Sequence, residues 1–252
     1  MNIKNIFKVH KLTYLFILLS ILTASFHTLV FITILVIFHE MGHFYSALLL
    51  GLHVDKIEIY PYGGLSKIDI PLNYSILKEL IILINGPIIQ HITYLVLIRT
   101  FPYYASTISI YHYAILLFNL LPIYPLDGGK LVNLLLQKLI PYKTSFKLSI
   151  TISYLVILIL GLIYLNNIKI NSIILILFLI FKVTKESKYN SIRYEKFLFE
   201  RYKNPINYKK CKMISNPNMF YKNNRHIIKE EGKYTLERDY LRKKYDKLTK
   251  KY

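Results

Sequence analysis

Hydrophobic residues along this chain fall into long blocks separated by short polar gaps. Apolar runs occupy Leu12–Ser25, Thr28–Leu50, Tyr74–Leu97, Ile108–Leu121, Leu148–Leu165 and Ile170–Val183. A membrane-spanning helix needs roughly 20 mainly apolar residues, so the pattern predicts about six spans, with five or seven as alternatives. The first, fourth and sixth runs are short and call for tilt or local thinning of the bilayer. The expected fold is an all-α polytopic membrane protein, with residues 1–184 as the transmembrane domain and 185–252 as a basic tail. Two stretches break the pattern. From Val54 to Ile70, polar and apolar residues alternate on both sides of Pro61-Tyr62-Gly63-Gly64. This predicts either a β-hairpin after the second span or an ordinary polar loop. Inside the third run, Asn85-Gly86-Pro87 predicts a helix kink, or a break lining a polar cavity.

The composition agrees: 54% of the 252 residues are hydrophobic, against about 45–50% in soluble domains. Net charge is +19, which raises the question of nucleic acid. Its location answers differently. Residues 185–252 carry 20 Lys/Arg against 8 Asp/Glu, +12 of the total. Basic charge beside membrane segments fits topology and attraction to anionic lipid. No nucleic-acid-binding signature accompanies it. Ile, Lys, Asn and Tyr are also the residues that an AT-rich genome favours. Lys4, Lys8 and Lys11, the group Lys130–Lys147, and the tail place both termini in the cytoplasm. The basic N-terminus followed by Leu12–Ala24 mimics a signal peptide. A second apolar run follows so closely that an uncleaved first span is expected. The single cysteine, Cys211, excludes an intrachain disulfide and a cysteine-built zinc site.

The second run contains His39-Glu40-Met41-Gly42-His43. Ionisable groups at the centre of a spanning helix cost roughly 2.5–3.5 kcal/mol each on insertion scales. The spacing explains their presence. Two His at i and i+4 share a helix face and can bind one zinc, with the adjacent Glu as general base. A catalytic zinc takes three protein ligands and leaves a position open. Asp127, in Asn119-Leu120-Leu121-Pro122-Ile123-Tyr124-Pro125-Leu126-Asp127-Gly128-Gly129, is the candidate third ligand. Taken alone, an Asp-Gly pair is an ordinary turn. The Pro61–Gly64 hairpin, with Gly63 and Gly64, is a candidate ribbon whose open edge takes an extended substrate by strand addition.

Together His39–His43 and Asn119…Pro122…Pro125–Gly129 resemble the site-2 protease family of intramembrane zinc metalloproteases. Gly86-Pro87-Ile88-Ile89-Gln90-His91, Pro125–Lys130 and Phe197-Leu198-Phe199-Glu200-Arg201-Tyr202 are similar to its stage IV sporulation subgroup, which processes a sigma-factor precursor. The resemblance runs from about Leu12 to Tyr202. It implies Zn2+ held by His39, His43 and Asp127, Glu40 as base, and Asn119 near the substrate backbone. It implies regulated cleavage of a membrane-associated protein during sporulation, at a site open to the cytoplasm. It further implies small membrane partners that block substrate entry. The chain departs from the subgroup at its end. Members often carry a cystathionine-β-synthase-type domain, whereas Asn204–Tyr252 shows no clear βαβ pattern, only a charged helix near Leu236–Leu248.

An alternative is a membrane metal transporter or metal-binding protein using the same His/Asp cluster. Glu40 separates the two, because only hydrolysis needs a base between the ligands. Among other histidines, His91 is expected to line the cavity or to pack at the kink. His53, His112 and His226 are expected in loops or interfaces, and Cys211 as an incidental thiol.

Overall fold

A computed structural model describes residues 7–9, 26–52, 54–60, 63–68, 70–165, 169–205, 208, 210–230 and 233–249. The first apolar run, His53 and the Pro61-Tyr62 pair lie wholly or almost wholly outside these residues. The chain forms two compact units, residues 1–70 with 77–119, and residues 71–76 with 120–252.

In the first unit, β1 (Phe7–Val9), β2 (Val54–Tyr60) and β3 (Gly63–Ile68) form one sheet in that order. The expected hairpin is present. β2 and β3 pair antiparallel from Val54↔Ile68 to Tyr60↔Gly63, with an irregularity between Val54 and Lys56. β1 was not anticipated, since three residues carry too little periodicity to register. It pairs parallel to β2 through Phe7↔Ile57. Among the described residues β3 is therefore an edge strand. Helix α1 (Phe26–Leu49) carries the His-Glu-His motif. Helix α2 (Ile76–Thr100) runs unbroken through Pro87, so of the two alternatives, kink or break, the break does not occur. A 3-10 turn, Pro102–Tyr104, leads into α3 (Ala105–Leu120). Phe31, Leu35, Tyr94, Leu97 and Ile108 form the core of these helices.

The second unit contains α4 (Asp127–Leu139), α5 (Tyr142–Tyr164), α6 (Ile170–Lys188) and α7 (Asn190–Lys203). Helices α1, α2 and α5 are long and apolar enough to cross a membrane. On α5 the outer face is apolar, with Leu155, Leu158, Leu162 and Ile163 exposed. Its inner face sets a stripe of serines beside Phe146, Ile150 and Ile157. Ser145, Ser149 and Ser153 are buried, and the hydroxyls of the last two return to the backbone one turn earlier at 3.0 and 2.8 Å. Small residues inside and aliphatic ones outside suit a helix that packs in lipid.

The tail holds the charged helix expected near Leu236–Leu248 and, besides it, a sheet that the sequence did not suggest. β4 (Cys211–Ile214), β5 (Arg225–Glu230) and β6 (Lys233–Leu236) form a second sheet, followed by α8 (Glu237–Thr249). β4 and β5 pair parallel, while β5 and β6 form an antiparallel hairpin. No helix joins β4 to β5, so the crossover leaves no helical period to detect. Phe197 and Leu198 of α7 share a core with Ile214, Phe220, Ile228 and Leu241. The ring of Phe197 stacks on Tyr142 at 4.1 Å and 4°.

Candidate metal centre

One helical turn separates His39 from His43, which places both rings on the same face of α1 and buries them. Each ring is fixed by its Nδ1. His43 Nδ1 lies 2.9 Å from the Ile82 carbonyl. A carbonyl only accepts, so His43 donates from Nδ1 and its Nε2 carries a lone pair. His39 Nδ1 lies 2.9 Å from Gln90 Oε1 on α2. The two Nε2 atoms face each other 3.2 Å apart.

The Asn85-Gly86-Pro87 segment of α2 packs directly against α1 and the His43 ring. A Cβ at Gly42 would run into the backbone of Asn85 and Gly86, and one at Gly86 would overlap the His43 ring. The two glycines let α1 and α2 approach closely enough for Ile82 and Gln90 to reach the imidazoles.

Asp127 belongs to the second unit. It is buried in the first turn of α4, where the helix N-terminus favours a carboxylate. Lys130 Nζ lies 3.1 Å from Asp127 Oδ1. Gly128 and Gly129 leave no room for a Cβ against the backbone of Leu120–Tyr124. The loop is tied down from two sides. Tyr124 N–H donates to Ser153 Oγ at 2.8 Å, and Arg193 Nη1 donates to Tyr124 Oη at 2.8 Å. Arg193 is itself paired with Glu186 at 2.7 Å.

The remaining expected residues sort as follows. Glu40 is half-buried on α1 and Asn119 half-buried near the end of α3. Gly63 and Gly64 lie in β3, paired with Tyr60 and Ile59. His91 is exposed, 3.2 Å from His112. Of the two alternatives for His112, loop or interface, the second holds: it is fully buried in α3 and stacked on Tyr94 of α2 at 4.2 Å. His226 is likewise buried, on β5, with Nδ1 2.8 Å from Glu237. Sequence reasoning missed Gln90, whose signal was a buried amide one turn after Gly86.

The donor chemistry fits zinc. Imidazole nitrogen and carboxylate oxygen are both common zinc ligands, with Zn–N bonds of about 2.0–2.1 Å. At that length, the 3.2 Å Nε2 separation corresponds to an N–Zn–N angle of roughly 100–106°, close to tetrahedral. Two imidazoles whose Nε2 atoms face each other on a membrane-length helix form part of a candidate metal site.

Comparison with known proteins agrees. The model for Peptidase family M50 matches residues 27–107 and 98–162. Stage IV sporulation protein FB of Bacillus subtilis is 30% identical over 208 residues, spanning 78% of this chain and 72% of that protein. A zinc metalloprotease of Methanocaldococcus jannaschii is 33% identical over 179 residues, 67% of this chain and 51% of that protein. A solved structure of a site-2 protease from Methanocaldococcus jannaschii superposes with a TM-score of 0.57 at 29% identity, covering 74% of this chain and 93% of that one. The chain belongs to Peptidase family M50, the site-2 proteases. It is a membrane-embedded zinc metalloprotease.

Proposed function

We propose that this protease cleaves a membrane-associated sigma-factor precursor during sporulation. The observation that carries the proposal is the 30% identity to Stage IV sporulation protein FB across 208 residues. In this reading His39, His43 and Asp127 hold the zinc and Glu40 is the base. The membrane-length helices and the Lys/Arg asymmetry support a site open to the cytoplasm, with both termini on that side. The basic tail beyond residue 184 faces the cytoplasm in this reading. Small membrane proteins that block substrate entry are the expected regulators.

The chemistry follows from the residues. Glu40, next to His39 on α1, takes a proton from a water molecule. The water oxygen bonds to the scissile carbonyl carbon. Glu40 then delivers the proton to the amide nitrogen as the C–N bond breaks. Zinc, when bound, supplies Lewis acidity that polarises the carbonyl and acidifies water. Asn119 is suited to hold the substrate backbone. The Gly63-Gly64 end of edge strand β3 is suited to pair with an extended peptide, the form in which carbonyls are open to attack.

The test is cleavage of a sigma-factor precursor by the purified protein in detergent with zinc, beside Glu40→Gln. Cleavage by the parent and none by the variant is expected. Equal cleavage by both overturns the role of Glu40. No cleavage of the precursor, with cutting of other membrane-associated proteins, overturns the substrate.

A further inference from the structure

Gln90 is buried on α2 between two histidines of different helices. Its Oε1 lies 2.9 Å from His39 Nδ1. Its Nε2 lies 3.2 Å from the backbone carbonyl of His112 and 3.3 Å from His112 Nδ1. The carbonyl decides the arrangement. It accepts and cannot donate, so the amide NH2 must face His112 and the amide oxygen must face His39. That oxygen in turn only accepts. His39 is therefore held as the Nδ1–H tautomer, and its Nε2 lone pair is directed at His43 Nε2, 3.2 Å away.

The chain of donors continues outward in one direction. With Gln90 donating to His112 Nδ1, the proton of His112 sits on Nε2. From there it is donated to His91 Nδ1 at 3.2 Å. Tyr94 fixes the His112 ring by stacking at 4.2 Å and 6°. Every residue in this network lies in the first unit.

We infer that Gln90, oriented by the His112 carbonyl, is a positioning residue that sets the tautomer and ring angle of His39 for zinc. Neutral glutamine does here what a carboxylate or backbone carbonyl does for most zinc-bound histidines, and Ile82 does the same for His43. The inference rests on His39 being a zinc ligand.

The test is zinc affinity of the full-length protein in detergent, measured by chelator competition, together with the visible spectrum of the cobalt-substituted protein. Gln90→Leu removes the acceptor and is expected to weaken zinc about 10–100-fold and to shift the cobalt bands. Gln90→Asn keeps the amide but falls a methylene short, and should lose affinity likewise. Gln90→Glu keeps an acceptor at the same reach toward His39, with a protonated carboxyl able to donate to the His112 carbonyl, and should hold zinc more tightly than the Leu and Asn variants. If Gln90→Leu does not fold, the contrast between Asn and Glu decides. Parental affinity in the Leu or Asn variant overturns the inference, as does an equal loss in Glu, which would mean packing alone. Zinc binding that survives His39→Ala overturns the ligand assignment itself, and the inference with it.

Discussion

Gly86 lies against the imidazole of His43 so closely that a Cβ there would be 2.9 Å from Nδ1 and nearer still to Cε1 and Nε2. Helix α2 thus holds this ring on two sides, with the Ile82 carbonyl on Nδ1 and bare backbone against its face. Gly86→Ala can be accommodated only by moving the ring or separating the helices. Overpacking of this kind costs about 1–3 kcal/mol. A displacement near 1 Å in a catalytic site can cost on the order of 100-fold in rate. Gly86→Ala should therefore fold with a lowered melting temperature and lose cleavage by about that factor. Parental activity in a substrate-cleavage assay would show that the close approach is immaterial.

In the proposed reading Asp127 is the third zinc ligand beside the two histidines. Its loop is fixed by Ser153 and Arg193, and its carboxylate sits in the first turn of α4. Asp127→Ala should reduce zinc affinity by more than the roughly 10–100-fold typical of losing an outer hydrogen-bond partner. Lys130→Met removes a neighbouring cation at 3.1 Å but no ligand, and should retain zinc. Metal content after dialysis distinguishes them. Equal zinc in Asp127→Ala and the parent would remove Asp127 from the ligand set.

How much of this was legible in the sequence depends on how local the signal is. His39 and His43 share one turn, so their spacing declared them. The hairpin showed itself by alternation around a turn. Gly86-Pro87 was visible, but its close contact with His43 was not, because that contact lies in what α1 presses against it. Gln90 and His112 were hidden for the same reason, being 22 residues apart in the chain and joined only through helix packing. The sheet in the tail was masked by its composition. Lys and Tyr on short strands give no strong period, and the residue that organises it looks like one more surface cation.

That residue is Arg201. Its Nε and Nη2 donate to both oxygens of Glu237 at 2.6 and 3.2 Å, and Nη1 and Nη2 donate to the carbonyls of Tyr221, Lys222 and Asn224 at 2.5–3.1 Å. Its side chain is only 4% exposed. The fork from α7 thereby closes the loop between β4 and β5 and anchors the start of α8. Lysine has neither the planar fork nor enough donors to replace it. Removing one member of a buried pair costs roughly 3–5 kcal/mol. Both Arg201→Lys and Arg201→Met should make the tail protease-sensitive at temperatures where the parent resists. Limited proteolysis followed by mass mapping reads this directly. An unchanged pattern would mean that the fork is dispensable.

The same anchor predicts sensitivity to acid. His226 Nε2 accepts the Tyr221 N–H at 2.9 Å while Nδ1 donates to Glu237 at 2.8 Å, an arrangement that only the neutral ring can make. Burial lowers the His226 pKa, opposed by Glu237; Arg201 and Lys212 add to the lowering. Burial pushes Glu237 up, but the hydrogen bonds from His226 and Arg201 together hold it below its usual value. Both groups therefore bind fewer protons folded than unfolded. Their contribution to stability is complete above the unfolded histidine value of about 6.5 and is lost as pH falls, first through His226 and then through Glu237. Each group contributes a slope of at most about 1.4 kcal/mol per pH unit. Melting of the second unit should shift down between pH 7 and 5. His226→Gln, though less stable throughout, should flatten that slope above pH 5. A parental slope in the variant would place the acid sensitivity elsewhere.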